Sequence, residues 1–370
     1  MANLVGFLGE SHKFKGKFGA KMKEKLNCFF TTNESAMLYE CGFSCDNAIY
    51  FSAGSEAFFI TDSRYALEAR ERATKNTQII ESSDLIKDFI KLAKSTKNII
   101  YDNAQISVEF FEKIKSLSLK AKPNFHQIKR IIKSDDEVAL IAKSQKLNKK
   151  AFKRFAKFVA KNGTCKNGDL SEKNLHFIAR QCLENNGKLD LSFNPIVALN
   201  ENAAKPHALP CKKALQKGDL LLFDAGVKYK NYCSDMTRTA YFGRNSHKSK
   251  AFNFSKSQKF PPKIQKIYDI VLKAQECAIK GAKSGMRAKD IDFLARDFID
   301  KKGFGKFFAH SLGHGVGLDI HELPRISKKS DEIIEDGMVF SIEPGIYLQG
   351  EFGIRIEDLV VMKNGKAEVL

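Results

Sequence analysis

Two carboxylates in the middle of the chain stand where apolar strands are expected to end. Asp224 follows the apolar run 220–223, and Asp235 closes a second short segment, 232–235, after a polar turn. Two strands joined by a short loop usually pair as a hairpin, which can bring side chains from both strands together. Neighbouring buried carboxylates repel, so one of them stays protonated unless a cation lies between them. Two solvated surface acids are the alternative, but the apolar run before Asp224 favours a metal site.

Three further side chains in the C-terminal part of the chain could complete such a site. His314 lies among glycines, which allow close backbone approach, although in isolation a structural histidine would be the better interpretation. Glu343 follows a run of mostly apolar residues, and a carboxylate buried there needs partners. Strand periodicity places Arg355 and Glu357 on one face, where an exposed salt bridge is the alternative.

Taken together, these five candidates form a set dominated by carboxylate oxygen. Its members are Asp224, Asp235, His314, Glu343 and Glu357. Such a set suits two divalent ions, with Mn²⁺ favoured and Co²⁺, Fe²⁺ or Zn²⁺ as alternatives. Two ions about 3.5–4 Å apart can hold a bridging water, lower its pKa and polarise a carbonyl group.

The order of these residues resembles the "pita-bread" metallopeptidases of family M24, which include aminopeptidase P, prolidase and methionine aminopeptidase. The resemblance rests on LFDAG at 222–226, YCSDMTRT at 232–239, HSLGHGVGLDIH at 310–321 and SIEPG at 341–345. It spans roughly residue 128 to the C-terminus. MLYECGF at 37–43 and TDSRY at 61–65 match more loosely the N-terminal domain that aminopeptidase P, prolidase and creatinase share. Methionine aminopeptidases normally lack that domain, so the aminopeptidase P and prolidase branch is indicated.

The resemblance implies a role for each candidate ligand. Asp224 would chelate one ion, and Asp235 and Glu357 would bridge both. His314 and Glu343 would complete the two coordination spheres. Glu343 would also be the general base that activates the bridging water.

The resemblance also implies side chains around the substrate. Pro206 and His207 resemble the family's Pro-His loop, so this histidine would approach the substrate. His310 and His321 would line the pocket, and His321 could stabilise the tetrahedral intermediate as a hydrogen-bond donor. Arg355 would orient Glu357 or a carboxylate of the substrate.

The implied function is hydrolysis of the Xaa-Pro bond at the N-terminus of peptides by an Xaa-Pro aminopeptidase. An Xaa-Pro amide carries no N–H, so its recognition requires a dedicated pocket. Xaa-Pro dipeptidase activity, that of a prolidase, is the nearest alternative. A non-catalytic binding protein of the same fold and metal-free, creatinase-like C–N hydrolysis are further alternatives. The complete set of five ligands argues against both of these.

Length and the alternation of strands and helices predict an α/β (α+β) chain of two domains. The resemblance implies that residues 1–127 form a small creatinase-like α/β domain. It also implies that residues 128–370 form the pita-bread catalytic domain, with a curved, mainly antiparallel sheet covered by helices. A capping box of Ser134 and Glu137 predicts the start of a helix.

Local patterns predict the individual elements. Helices are expected over residues 17–26, 135–160, 171–183, 264–283 and 288–299, with loops at 162–168 and 243–262. Residues 36–39 are predicted as a short strand. The loop 245–262 is longer than is usual in the family and could shape the cleft or an oligomer contact.

Composition limits the partners and the compartment. The net charge is +19, from 62 Lys and Arg against 43 Asp and Glu, but the basic residues are spread along the chain and no nucleic acid is expected. The eight cysteines show no pairing pattern, which fits the cytoplasm. No apolar stretch is long enough for a membrane span. The expected partners are therefore proline-containing peptides, and the resemblance implies a homodimer or homotetramer.

Overall fold

The computed structural model describes residues 28–163, 170–243, 246 and 252–370. The chain divides into two compact units, of which one ends at His126 and the other begins at Gln127. The division into domains 1–127 and 128–370 stays a prediction. The predicted helix at 17–26 and most of the predicted loop at 162–168 lie outside the described residues. Among the described helices, none combines the length and the apolar content needed to cross a bilayer.

The first unit contains a six-stranded mixed sheet with helices, as expected for an α/β domain. Its strands are β1 Phe29–Thr31, β2 Ala48–Ala53, β3 Glu56–Thr61, β4 Thr77–Glu81, β5 Ile99–Tyr101 and β6 Leu119–Ala121. Their order in the sheet is β4-β3-β2-β1-β5-β6. Its helices are α1 Glu34–Cys41, α2 Ser63–Arg72, α3 Leu85–Ala93 and α4 Val108–Ile114, and the division between the units falls within α5 Phe125–Lys129.

The strand predicted at residues 36–39 is wrong, because these residues lie in α1. The Asn33 side chain accepts a hydrogen bond from the Ala36 amide at the start of this helix. Gly42, in the left-handed conformation, ends it. A short apolar run does not distinguish a strand from a buried helical turn, and the two caps decide the outcome here.

Within its described residues, the second unit contains antiparallel strand pairs and four long helices. Its strands are β7 Asp190–Leu191, β8 Ile196–Leu199, β9 Asp219–Ala225, β10 Val227–Tyr229, β11 Tyr232–Cys233, β12 Met236–Phe242, β13 Gly313–Gly315, β14 Glu322–Ile326, β15 Val339–Ile342, β16 Gly345–Leu348, β17 Phe352–Arg355, β18 Asp358–Lys363 and β19 Lys366–Val369. The helices are α6 Asp135–Asn162, α7 Glu172–Glu184, α8 Pro262–Gly281 and α9 Ala288–Lys301. The expected fold class, a mainly antiparallel domain with helices after a small α/β domain, is confirmed.

Two cores place these helices against the sheets. Apolar residues of α6 and α7 pack with β8, β9 and β12. Those of α8 and α9 pack with β15, β16, β17 and β18. The predicted capping box is present at the start of α6, where the side chains of Ser134 and Glu137 each accept the other's backbone N–H.

The predicted hairpin around the two central carboxylates is longer than expected. β9 pairs with β12, and Asp224 lies opposite Thr237 in this ladder. The strands β10 and β11 form the tip between them, with Tyr229 opposite Tyr232. Asp224 is the penultimate residue of β9 and Asp235 immediately precedes β12, so both carboxylates reach the same end of the ladder.

The described part of the long loop packs into the core behind this ladder. Phe252 and Phe254 belong to the apolar cluster of α6, α7 and β9. The Phe254 ring lies 5.5 Å from the Phe223 ring, centroid to centroid. Phe223 directly precedes Asp224, so the loop supports the strand that carries this carboxylate.

Candidate metal centre

The five predicted ligands come from strand ends of the second unit. Asp224 lies near the end of β9, Asp235 just before β12, His314 within β13, Glu343 just after β15 and Glu357 just before β18. All five line one cavity of about 910 Å³, together with His207, His310, His321 and Arg355. Residues that are up to 150 positions apart therefore meet in one place, and the structure brings together every predicted site residue.

The imidazole of His314 lies at the centre of this group. Its Nε2 is 3.6 Å from Asp235 Oδ2 and 3.3 Å from Glu343 Oε1. Asp235, His314 and Glu357 each offer a ligand atom, and these atoms lie within 4.8 Å of one another. The Nδ1–H of His314 donates to the Gly315 carbonyl at 3.2 Å. This bond orients the ring so that Nε2 faces the carboxylates, as in many metal-binding histidines.

Three carboxylate oxygens of this group are buried and have no hydrogen-bond donor within the described structure. They are Asp224 Oδ1, Asp235 Oδ1 and Glu357 Oε1. A buried acceptor without a partner costs roughly 1–3 kcal/mol, and more when it is charged. Three such oxygens in one cavity, next to an imidazole, are the ligand atoms that a divalent cation requires. The residues therefore fit a metal site.

The electrostatics of the side chains alone lead to the same conclusion. Burial, together with repulsion from neighbouring carboxylates, raises the pKa of Asp235 and of Glu357 well above their ordinary values. Burial also raises the pKa of Asp224, against the opposing charge of Arg355. For Glu343, burial acts in the same direction, but the hydrogen bond and the charge of His314 outweigh it and lower the pKa to about 2. Crowded carboxylates of this kind are stabilised by cations.

Arg355 connects two of the predicted ligands. Its Nη2 lies 2.6 Å from Asp224 Oδ2. Its Nε donates to Thr237 Oγ1 at 3.0 Å, and this hydroxyl donates to Glu357 Oε2 at 2.7 Å. The sequence suggested that Arg355 orients Glu357 or a substrate carboxylate. In the structure it is buried, pairs with Asp224, lies 3.9 Å from Glu343 Oε2 through its Nε and is linked to Glu357 through Thr237.

Tyr347 extends this network to His310 and was not predicted from the sequence. Arg355 Nη1 donates to the Tyr347 hydroxyl at 2.9 Å. His310 Nδ1–H donates to the Ser311 carbonyl at 2.7 Å, so His310 Nε2 accepts from the Tyr347 hydroxyl at 2.8 Å. Burial lowers the pKa of His310 and raises that of Tyr347 to about 12, which keeps both groups neutral.

Helix α6 holds the tip between β9 and β12 through buried polar side chains that were not predicted from the sequence. Gln145 donates to the Asp235 carbonyl at 2.8 Å and accepts from its amide at 3.3 Å. Asn148 donates to the Ala225 carbonyl at 2.6 Å. Ser144 donates to the Val227 carbonyl at 2.7 Å. These three polar residues lie on the same face of α6 as its apolar residues, and this pattern in the sequence could have indicated buried hydrogen bonds.

The comparison with protein families agrees with this site. Residues 139–364 match metallopeptidase family M24, and residues 16–138 match the creatinase/prolidase N-terminal domain. The first match covers more than half of this chain, so the chain belongs to metallopeptidase family M24. The family predicted from the sequence is confirmed.

Curated relatives include uncharacterized peptidases of Staphylococcus aureus. The peptidase of strain MSSA476 is 38% identical over 241 residues, which cover 65% of this chain and 62% of the relative. The peptidase of strain USA300 is 39% identical over 241 residues, which cover the same fractions of the two chains. The chain thus spans less than two thirds of the length of these relatives.

Solved structures of similar proteins cover nearly the whole chain. An Xaa-Pro dipeptidase from Bacillus anthracis is 30% identical with a TM-score of 0.82, over 93% of this chain and 92% of that one. An X-Pro aminopeptidase from Thermotoga maritima MSB8 is 29% identical with a TM-score of 0.78, over 93% and 95%. A prolidase from Pyrococcus furiosus is 29% identical with a TM-score of 0.78, over 95% and 98%. These neighbours place the chain in the aminopeptidase P and prolidase branch.

Proposed function

We propose that this chain is a metal-dependent Xaa-Pro aminopeptidase, which removes the first residue of peptides whose second residue is proline. The observation that carries the proposal is the convergence, in one large cavity, of an imidazole and three carboxylate oxygens that have no hydrogen-bond partner among the described residues. Family membership supports peptide hydrolysis, and the solved neighbours named for action on Xaa-Pro bonds support the choice of substrate.

The five ligands predicted from the sequence would hold two divalent ions, with Mn²⁺ favoured and Co²⁺, Fe²⁺ or Zn²⁺ as alternatives. When bound, such ions acidify a water molecule and polarise the carbonyl of the scissile bond. Ser341 Oγ donates to Glu343 Oε1 at 3.1 Å and keeps this carboxylate directed into the cavity. Glu343 would act as the general base that takes up the proton of the attacking water.

Three histidines would act on the substrate rather than on the ions. His207 and His321 are exposed at the cavity, and His310 is half-buried beside Tyr347. Burial, aided by the charge of His314, lowers the pKa of His321, so at neutral pH its ring is uncharged and keeps one N–H. That N–H can donate to the oxygen of the scissile carbonyl as negative charge develops on it.

The size of the cavity favours peptides longer than two residues. At about 910 Å³ it lies near the upper end of the range for small-molecule sites. Arg180, Phe193 and Asn194 also line a second cavity of about 490 Å³, which continues the cleft. A peptide that extends beyond proline would have room there.

Xaa-Pro dipeptidase activity is the alternative. The similarity to the dipeptidase of Bacillus anthracis favours it. Besides buried Arg355, Arg180 and Arg325 line the cavity, and the guanidinium group of either of these two could meet the carboxylate of a dipeptide. The cytoplasmic location and the homodimer or homotetramer also remain predictions.

A series of peptide lengths separates the two functions. The purified chain is stripped with a chelator, reloaded with Mn²⁺ and given Ala-Pro, Ala-Pro-Ala and Ala-Pro-Ala-Ala, with Ala-Ala-Ala as the control. We expect release of alanine from all three proline peptides, with the tripeptide and tetrapeptide cleaved at least as fast as the dipeptide. Cleavage of Ala-Pro alone would establish the dipeptidase. Absence of cleavage before proline by metal-loaded protein would refute both.

A further inference from the structure

A buried carboxylate outside the metal centre is placed to control the loop that carries His207. Glu172 is the first residue of α7, and its side chain is fully buried. Its Oε1 accepts from the Leu199 amide at 2.7 Å. Its Oε2 accepts from the Asn202 side-chain amide at 2.7 Å and from the Cys211 amide at 2.8 Å. Three donors thus compensate for the loss of water around this carboxylate.

The donors lie on both sides of His207. The Leu199 amide precedes it by eight residues, and the Cys211 amide follows it by four. Between them, Asn202 Nδ2 also donates to the Leu209 carbonyl at 3.0 Å, so the loop is closed on itself through the residue that contacts Glu172. One side chain therefore contacts the beginning, the middle and the end of the segment 199–211, whose first residue also pairs with Leu221 of β9.

The metal centre holds the same segment from the opposite direction. Arg355 Nη1 donates to the Pro206 carbonyl at 3.1 Å, while Arg355 Nη2 contacts the predicted ligand Asp224. Gly353 approaches the segment so closely that a Cβ atom there would lie 1.9 Å from the Ala203 carbonyl oxygen. The segment thus lies between the start of α7 and the β17 strand. On the α7 side it is held by the Glu172 carboxylate and by the Lys173 amide, which donates to the Cys211 carbonyl at 3.2 Å.

His207 itself is exposed, and the described structure shows no side-chain hydrogen bond that holds its ring. Its place at the cavity therefore depends on the backbone on either side of it. We infer that Glu172 is a positioning residue, which keeps His207 at the substrate cavity by anchoring the segment 199–211. The inference rests on the proposed function, in which His207 approaches the peptide.

The substitution Glu172→Gln tests this inference with little change of volume. It replaces one acceptor oxygen by an amide NH₂, which places a donor against the donors of the loop. We expect kcat/KM for Ala-Pro-Ala to fall about tenfold, as for the loss of a buried hydrogen bond to a charged group. Metal affinity, measured by calorimetric titration of Mn²⁺, should stay unchanged, because Glu172 contacts no predicted ligand.

Glu201→Gln is the matched control. Glu201 lies in the same segment, and its carboxylate contacts Lys213 at 2.6 Å in a largely exposed ion pair. Exposed ion pairs contribute little to stability, so the segment should keep its position in this variant. Its kcat/KM should therefore equal that of the wild type.

A double-mutant cycle separates positioning from a general loss of structure. If Glu172 acts through His207, Glu172→Gln should lower kcat/KM less than about twofold further once His207→Ala is present, because coupled residues are not additive. The same tenfold loss in both backgrounds, or no loss in either, would overturn the inference. If Glu172→Gln fails to fold, Asn202→Ser enters the same cycle, since it removes one of the three donors.

Hydrogen exchange keeps the test independent of turnover. The amides of Leu199 and Cys211 should exchange faster in Glu172→Gln than in the wild type and stay unchanged in Glu201→Gln. Unchanged exchange in Glu172→Gln would overturn the inference. An inactive, metal-loaded wild type would instead refute the proposed function, and the exchange experiment would still decide whether Glu172 anchors the loop.

Discussion

Removal of the metal ions should make the stability of the chain fall as the pH rises from about 5 to about 7. The pKa of Asp235 and of Glu357 is raised in the folded state, first by burial and then by the surrounding carboxylates. In the unfolded chain both return to their ordinary values, 3.8 and 4.5. Between the ordinary and the raised value the folded chain holds a proton that the unfolded chain has released. The free energy of unfolding therefore has its full value below the ordinary pKa, and it decreases as the pH rises from the ordinary pKa to the raised pKa.

The expected loss follows from proton linkage. Each such group lowers the free energy of unfolding by about 1.4 kcal/mol for every pH unit inside its window. One group that keeps its proton over two pH units thus accounts for about 2.7 kcal/mol, and two groups for up to about twice that. The pKa of His314 is raised by Glu343 against the effect of burial, so the histidine adds a loss of the same sign above its ordinary value of 6.5. Bound cations would take the place of these protons and remove the slope.

Urea unfolding at several pH values measures this effect. The protein is compared with chelator present and after saturation with Mn²⁺, and the double variant Asp235→Asn, Glu357→Gln without metal is the control. The metal-free wild type should lose stability between pH 5 and pH 7, by about 1.4 kcal/mol per pH unit for each group that still holds its proton, while the saturated protein and the double variant should show a much smaller slope. Equal or greater stability of the metal-free wild type at pH 7 would refute the reasoning.

Three substitutions test other parts of the network. Glu343→Gln, assayed at saturating Mn²⁺, should lose about 10²–10⁴-fold in kcat, because the amide cannot accept the proton of the attacking water; turnover and elemental analysis of the same sample separate this loss from a loss of metal. Arg355→Lys should cost about 10–100-fold in kcat/KM, since a single ammonium cannot serve the separate partners of the guanidinium; wild-type steady-state kinetics would contradict the assigned bridging role. Lys256→Met should lower the free energy of unfolding by about 1 kcal/mol, because buried Asp358 loses one cation but keeps another, whereas Lys263→Met removes an exposed ion pair and should change the urea midpoint little.

The sequence allowed the candidate ligands to be predicted because their signals are local. A carboxylate at the end of an apolar run, as at Asp224, or a histidine among glycines, as at His314, can be recognised without knowledge of the fold. The capping box at Ser134 and Glu137 is local in the same way. The resemblance to a family then added the expectation that these residues meet.

The supporting network could not be predicted, because it depends on contacts between distant elements. Thr237 lies between Arg355 and Glu357 only because β12 pairs with β9 and passes the end of β17. Tyr347 reaches His310 across 37 residues of chain. Glu172 gave no signal in the sequence, because an acidic residue in the first turn of a helix is common on protein surfaces. Its burial becomes visible only with the loop 199–211 in place.

Metal stoichiometry tests the central claim most directly, namely that four carboxylates and one imidazole hold a pair of divalent ions. The protein is stripped, reloaded with Mn²⁺, dialysed and assayed by elemental analysis, beside the double variant Asp235→Asn, Glu357→Gln and the control Glu201→Gln. We expect two ions per chain in the wild type and the control, and fewer than one in the double variant. A wild type that retains no metal, or a double variant that still retains two ions, would contradict the account.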